Sequence, residues 1–269
     1  MTASNGAANR CSVVSEGKIR IGIGGWTYEP WRGVFYPSDL PQKRELEYAS
    51  RQLTAIEING TFYSRQSPKS WETWAATVPD DFQFTIKASR FCVTRPKLAD
   101  AGEGIGNFFA QGLTALGPKL GPTLWMLAKF RKFDREDIAG FLKLLPREQD
   151  GVRLRHAIEP RHESFRDEAF YALCREHDVA VVYDDDDEFP CIDADTASFR
   201  YARLQRMHEE IPTGYDDAAL DGFARQVKGW AANGGEAYIF MINGAKVRAP
   251  VHRNGDAHRH CSGVVPGPK

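Results

Sequence analysis

The sequence predicts an α/β chain folded as a TIM-type (β/α)8 barrel, and three observations carry that prediction. Eight short apolar, β-branched or aromatic runs recur along the chain. Amphipathic stretches of helical period separate most of them, which implies parallel pairing, and eight parallel strands are the number that closes a barrel. The length of 269 residues fits one such barrel, for which ~250 is usual.

The strand runs fall at residues 19–24, 55–59, 82–87, 123–128, 154–159, 180–183, 199–204 and 238–243, and helical patterns at 40–51, 69–77, 105–116, 134–145, 167–177 and 216–232. In the last of these, Leu220, Phe223, Val227 and Trp230 line one face. Asp216 and Asp217 open it and Gly234-Gly235 closes it. Asp134 starts another helix and Pro146 stops it. Gly22-Ile23-Gly24-Gly25 leads into Trp26 and a loop, so no dinucleotide fingerprint follows the first strand. The sixth connection, from Asp184 to Ala197, contains Pro190 and is short of a good helix, so the sixth helix is expected to be short or missing.

Composition narrows the function classes. Hydrophobic residues are 42% and charged residues 26%, an ordinary globular balance. Lys+Arg 35 against Asp+Glu 36 leaves a net charge of −1, with no basic excess to drive nucleic-acid binding. No apolar run approaches the ~20 residues that span a bilayer. Five scattered cysteines, Cys11, Cys92, Cys174, Cys191 and Cys261, fit reduced thiols and a cytoplasmic location. Residues 1–18 read as a disordered leader, 19–250 as a single barrel domain and 251–269 as an irregular tail. The tail lacks any helical period, so the closing C-terminal helix is expected to be absent. That would uncover part of the barrel's edge and open a route to an oligomer.

Strand alternation locates the chemistry. If Ile56 and Ile58 pack on helices, then Ala55, Glu57 and Asn59 face the lumen. The same parity sends Ala157, Glu159 and Arg161 inward, with Gln83, Thr85 and Lys87 and with Tyr201 and Arg203. Polar lumen residues thus concentrate at the C-terminal strand ends, where barrels hold their active sites.

Several motifs resemble the YecE-like TIM-barrel family, domain of unknown function 72. Gly24-Gly25-Trp26-Thr27-Tyr28, Trp31-Arg32-Gly33 and Phe35-Tyr36-Pro37 resemble its opening. Ile56 to Tyr63, followed by Trp71 and Trp74, resembles its second block, and residues 82–87 its third. Glu159-Pro160-Arg161-His162-Glu163-Ser164-Phe165, Tyr201-Ala202-Arg203-Leu204 and Asn243 to Pro250 resemble later ones. The resemblance spans about residues 19–250 and implies a TIM-type barrel without implying a reaction. This chain departs from some relatives in having Met126 in place of a Gln, Gln205-Arg206 in place of His-Gly, and a tail in place of a closing helix.

Glu57 and Glu159 are the candidate catalytic pair, since two lumen carboxylates in unlike environments can divide acid and base roles. Arg161, Arg203 and Lys87 are candidates for holding an anionic substrate, and Asn59 and Asn243 for positioning it. Tyr63, His162, Trp26 and Tyr28 complete the expected substrate-binding set at the mouth. The blander reading of the same charges is a structural Glu–Arg network. The expected function is therefore acid/base chemistry on a small polar or anionic metabolite, with cofactor unknown and no metal assigned. One alternative is a metal-dependent lyase, isomerase or nuclease using Glu57, Glu159, His162 and Asp184. The other is a non-catalytic ligand-binding module. The acidic run Asp184 to Asp187 reads as solvated, and His258, His260 and Cys261 as an exposed tail.

Overall fold

A computed structural model describes residues 17–211 and 213–242. The leader up to residue 16, Asn243, the tail 251–269 with its expected missing helix, and the edge that the tail would leave open lie outside the described residues.

Eleven strands run in chain order: β1 (Lys18–Gly24), β2 (Ala55–Ile58), β3 (Gln83–Lys87), β4 (Leu120–Met126), β5 (Glu148–Gln149), β6 (Val152–Arg153), β7 (His156–Glu159), β8 (Val179–Val181), β9 (Tyr183–Asp185), β10 (Arg200–Leu204) and β11 (Glu236–Met241). The strands β5 and β6 form a small antiparallel hairpin apart from the rest. The other nine pair in parallel, in the order β8-β7-β4-β3-β2-β1-β11-β10-β9. The two ends of that order, β8 and β9, are separated in the chain by Val182 alone. Val182 N donates to Ile158 O at 2.9 Å, while β9 pairs with β10. They are thus two halves of one stave, the lower half bonded to one neighbour and the upper to the other, and this stave closes an eight-stave cylinder.

The helices are α1 (Glu45–Gln52), α2 (Pro68–Thr77), α3 (Arg90–Val93), α4 (Gly102–Phe109), α5 (Arg135–Leu144), α6 (Glu168–His177) and α7 (Asp217–Ala231). Asp134, Asp167 and Asp216 each accept a backbone N–H in the first turn of α5, α6 and α7, so the acidic residues read as helix starts act as N-caps. No helix occupies the connection between β9 and β10, as its length and Pro190 predict. The helix expected over 105–116 instead ends at Phe109, because Gly112 takes a left-handed φ of 92° and turns the chain into a 3-10 segment, Leu113–Lys119. Apolar residues beyond that turn continued the helical pattern without continuing the helix. No described helix is long and apolar enough to cross a membrane.

Alternation divides the core into two layers. Ile56, Ile58, Phe84, Ile86, Trp125 and Ile158 pack outward with helix residues such as Trp71, Phe141 and Phe170. The opposite faces of the strands put Ala55, Leu124, Ala157, Val182, Tyr201, Tyr238 and Phe240 in the lumen. Below them, Arg155 is bonded to Glu236, Gln83 and Tyr238 and fills the N-terminal end of the cylinder. The lumen is therefore packed at the bottom, and polar groups accumulate only towards the top.

Candidate active site

Three strands deliver three charges that bond one another inside the barrel. Arg203 on β10 is 2% exposed, while Glu57 on β2 and Glu159 on β7 are fully buried. The Arg203 guanidinium donates through Nε (3.2 Å) and Nη2 (3.1 Å) to the two oxygens of Glu57, and through Nη1 to Glu159 Oε2 at 2.6 Å. The second oxygen of Glu159 accepts from Arg161 Nε at 2.5 Å. Glu57 Oε2 also accepts from the Tyr201 hydroxyl at 2.7 Å. Because that hydroxyl spends its proton on Glu57, Thr85 Oγ1, at 3.0 Å, is the donor to Tyr201. Burial works against the charges of Glu159 and Arg203, and the pairing overrides it. Glu159 is held below the usual carboxylate range by Arg203, Arg161 and Lys87, and Arg203 is held well above the ordinary arginine value by Glu159 and Glu57.

Around this fully bonded frame stand three groups that are not fully bonded. Asp184, 1% exposed, is the register partner of Arg203 on the neighbouring β9. Its Oδ1 accepts from Gln205 Nε2, but its buried Oδ2 has no partner among the described residues. Burial, and then the charge of Glu159, pushes its carboxyl up to about 7. Lys87 ends β3 with its Nζ over the Phe62 ring, 4.9 Å from the centroid, and makes no hydrogen bond or ion pair among the described residues. Burial and then Arg203 push it down to about 8. Asn59, the residue after β2, buries an Oδ1 that likewise has no partner among the described residues. A Cβ on Gly24 would come within 2.7 Å of Asn59 Nδ2, so the glycine leaves the space that Asn59 occupies.

The remaining predicted site residues divide. Arg161 belongs to the frame through Glu159, lies over Phe189 at 4.3 Å, and keeps both Nη atoms without a hydrogen bond among the described residues. The Tyr28 hydroxyl donates to Gly24 O at 2.7 Å, and Glu57 contributes to raising its pKa after burial, which puts it beside the lumen. Tyr63 stands at the rim, 67% exposed and edge-on to Phe62. Two residues are not brought in. Trp26 packs edge-on to Trp74 and against Phe84 in the outer layer, because it follows the left-handed Gly25 (φ 74°) that turns the chain away from the lumen. His162 lies on the parity opposite to Glu159 and Arg161. Its Nδ1 accepts from Ser164 N at 3.1 Å and caps the turn Glu163–Phe165.

The alternative ligand set is not assembled either. Glu57 and Glu159 already receive guanidinium donors, His162 points into its own turn, and no cluster of three or more His, Cys, Asp or Glu that could hold a metal occurs among the described residues. The cation between the two glutamates is the guanidinium of Arg203.

Of the residues around the frame, the sequence offers Asp184 only as a ligand of the metal alternative, Thr85 and Tyr201 only as inward-facing, and Gln205 only as a departure from relatives. Asp184 was hidden in a run of acids that reads as solvated. In fact Asp184 faces inward, while Asp185 is buried outside the lumen, bonded to Arg206 and to the Tyr215 hydroxyl at 2.8 Å. Tyr201 and Thr85 do face inward as alternation predicts, and their role is the hydroxyl relay onto Glu57. The Gln205-Arg206 pair engages both acids, one residue to each.

A family model described as a protein of unknown function, DUF72, matches residues 20–254. The chain belongs to the DUF72 family. A DUF72 family protein of Thermotoga maritima is similar over 88% of this chain and 98% of its own, at 23% identity and a TM-score of 0.71. Another, from Enterococcus faecalis, is similar over 90% and 97%, at 17% identity and a TM-score of 0.68. A xylose isomerase domain containing protein of Salmonella typhimurium is similar over 94% and 99%, at 12% identity and a TM-score of 0.53. At these identities the likeness is one of fold, a TIM-type barrel shared by DUF72 proteins and others. No curated protein matches the chain.

Proposed function

We propose that this DUF72 protein is an enzyme that performs acid/base chemistry on a small anionic metabolite at the C-terminal mouth of the barrel. The observation that carries the reading is the contrast inside the lumen between saturated and unsaturated charge. Arg203 is bonded to Glu57 and Glu159, whereas Asp184 Oδ2 and Asn59 Oδ1 are buried without partners, and the half-buried Lys87 makes no hydrogen bond or ion pair, among the described residues. Buried polar atoms left unpaired cost ~1–3 kcal/mol each and call for an explanation. A substrate that supplies the missing partners is one.

In this reading the two glutamates hold Arg203 and set the local field. The proton-exchanging groups are Asp184 and Lys87, whose environments bring them to about 7 and about 8, close to the pH at which a general acid and base are useful. Arg161 offers its uncommitted guanidinium edge to the anion, and Asn59, Tyr28 and Tyr63 border the approach. Asn243 remains an expected positioning residue, and a cytoplasmic setting suits cysteines used as free thiols, as Cys92, Cys174 and Cys191 are.

The test is to incubate the purified protein with a metabolite extract and follow depletion by mass spectrometry. Wild type should consume a small anionic compound, and Asp184→Asn and Lys87→Met should not. Equal depletion by all three, or depletion by none, overturns the reading.

A further inference from the structure

We propose that Lys87 is a nucleophilic amine that condenses with the carbonyl carbon of a small oxo-acid. The inference deepens the acid/base reading and rests on it, because it assigns the substrate class and the bond that forms.

Lys87 is the last residue of β3, and its own carbonyl accepts from Thr61 Oγ1 at 2.6 Å, which fixes the backbone at the lumen rim. Its Nζ rests over Phe62 instead of in a carboxylate's grasp, although the charges of Glu57 and Glu159 act on it. Those carboxylates are committed: Glu57 to Arg203 and Tyr201, Glu159 to Arg203 and Arg161. The charges that act on Lys87 are Arg203 and Arg161, which disfavour its cation, and Glu57 and Glu159, which favour it, with burial the largest influence and against the cation. A lysine kept only to neutralise acids would bond one. A lysine that is half-buried, without a hydrogen bond or ion pair among the described residues, and under the influence of two guanidinium groups keeps its lone pair accessible for attack.

The other requirements of imine formation stand at the same level. Arg161 Nη1 and Nη2, free of hydrogen bonds among the described residues, match the fork that a substrate carboxylate presents. Asp184, across the Arg203–Glu159 pair from Lys87, has the unpartnered Oδ2 and is the proton source. The neutral Nζ attacks the carbonyl carbon, and one N–H proton moves to the carbonyl oxygen to give a carbinolamine. Asp184 then protonates that hydroxyl, the C–O bond breaks, one water leaves, and an iminium of Lys87 remains with an Asp184 carboxylate. No electrons are exchanged, and the step needs no reactant beyond the oxo-acid.

The probe is pyruvate or glyoxylate with sodium borohydride, which reduces an imine to a stable secondary amine, followed by peptide mapping. In the wild-type protein Lys87 should be modified at least about tenfold faster than the exposed Lys69 and Lys129, since near neutral pH far more of it is unprotonated. The rate should rise with pH to a midpoint near 8, where an ordinary lysine has a far higher one. Lys87→Arg should give no adduct there while melting like wild type, and Asp184→Asn should slow trapping without removing the site. Modification spread evenly over the lysines, or a Lys87 midpoint at the ordinary lysine value, overturns the proposal. Consumption of an extract metabolite without trapping at Lys87 would defeat the imine alone and leave the acid/base reading standing.

Discussion

Arg203 Nη1 lies 2.6 Å from Glu159 Oε2, joining β10 to β7 across the top of the barrel, and the same guanidinium bonds both oxygens of Glu57. One planar fork therefore satisfies two buried carboxylates that would otherwise repel. Replacing Arg203 with Met strands both acids away from water, and should destabilise the fold by about 3–5 kcal/mol in chemical denaturation. Arg203→Lys should recover only part of this, because an ammonium cannot present three coplanar N–H donors to two sites. The triple variant Glu57→Gln, Glu159→Gln, Arg203→Met should be more stable than Arg203→Met alone, since it removes the orphaned charges along with their partner.

Asp184 makes the opposite prediction for stability. Its carboxyl is raised from the ordinary value of 3.8 to about 7 in the fold, so between these values the folded state binds a proton that the unfolded chain has released. Its stabilising contribution is complete below pH 3.8 and is lost as the pH climbs through 7. Asp184→Asn keeps an acceptor for Gln205 and carries no charge. Its melting temperature should match wild type near pH 4 and exceed it at pH 8, with a gap worth up to about 4 kcal/mol. A constant difference across that range would show that Asp184 is ionised throughout.

Strand glycines give a paired prediction about the space below the site. A Cβ on Gly22 would lie 2.3 Å from Ala55 O, a backbone atom held in the β1–β2 ladder. One on Gly24 would meet Ile242 Cδ1 at 2.5 Å and Asn59 Nδ2 at 2.7 Å, both side-chain tips able to swing aside. Gly22→Ala should therefore cost about 3 kcal/mol or more of stability, while Gly24→Ala should cost about 1 kcal/mol. The second variant should nevertheless weaken substrate binding, because it displaces Asn59. Urea melts together with the depletion assay separate the two effects.

The frame was legible in the sequence because alternation is a property of the chain. Ile56 and Ile58 demand an apolar layer, so Glu57 must face the other way, and the same logic places Glu159, Lys87 and Arg203. What alternation cannot give is distance around the barrel. That Arg203 takes Glu57 and Glu159 together, leaving Lys87 without a carboxylate, depends on the relative heights of β2, β3, β7 and β10. Asp184 was illegible for a different reason. A run of acids has the composition of a solvated loop, whereas the alternation that puts Ala180 and Val182 in the lumen continues to Asp184 and leaves Asp185 outside. Trp26 and His162 stood at motif positions that suggested contact with a ligand, but a left-handed Gly25 and a turn-capping bond sent each elsewhere.

Glu159 couples the two proton-exchanging groups, and its removal should move both in the same direction. Its charge favours the protonated form of Lys87 and also that of Asp184. A neutral Gln at this position would keep an acceptor for Arg203 and Arg161 while withdrawing the field. Lys87 should then titrate below about 8 and Asp184 below about 7. Carbon-13 NMR of the Asp184 carboxyl and of isotopically methylated Lys87 reads the two values in the folded protein, so a modest loss of stability does not obscure the result. If only Lys87 moves, Arg203 has reoriented towards Asp184 and compensates there. If both move down together, Glu159 sets the titration range of the site without itself exchanging a proton, and the activity proposed above should shift its pH optimum to lower values in the depletion assay.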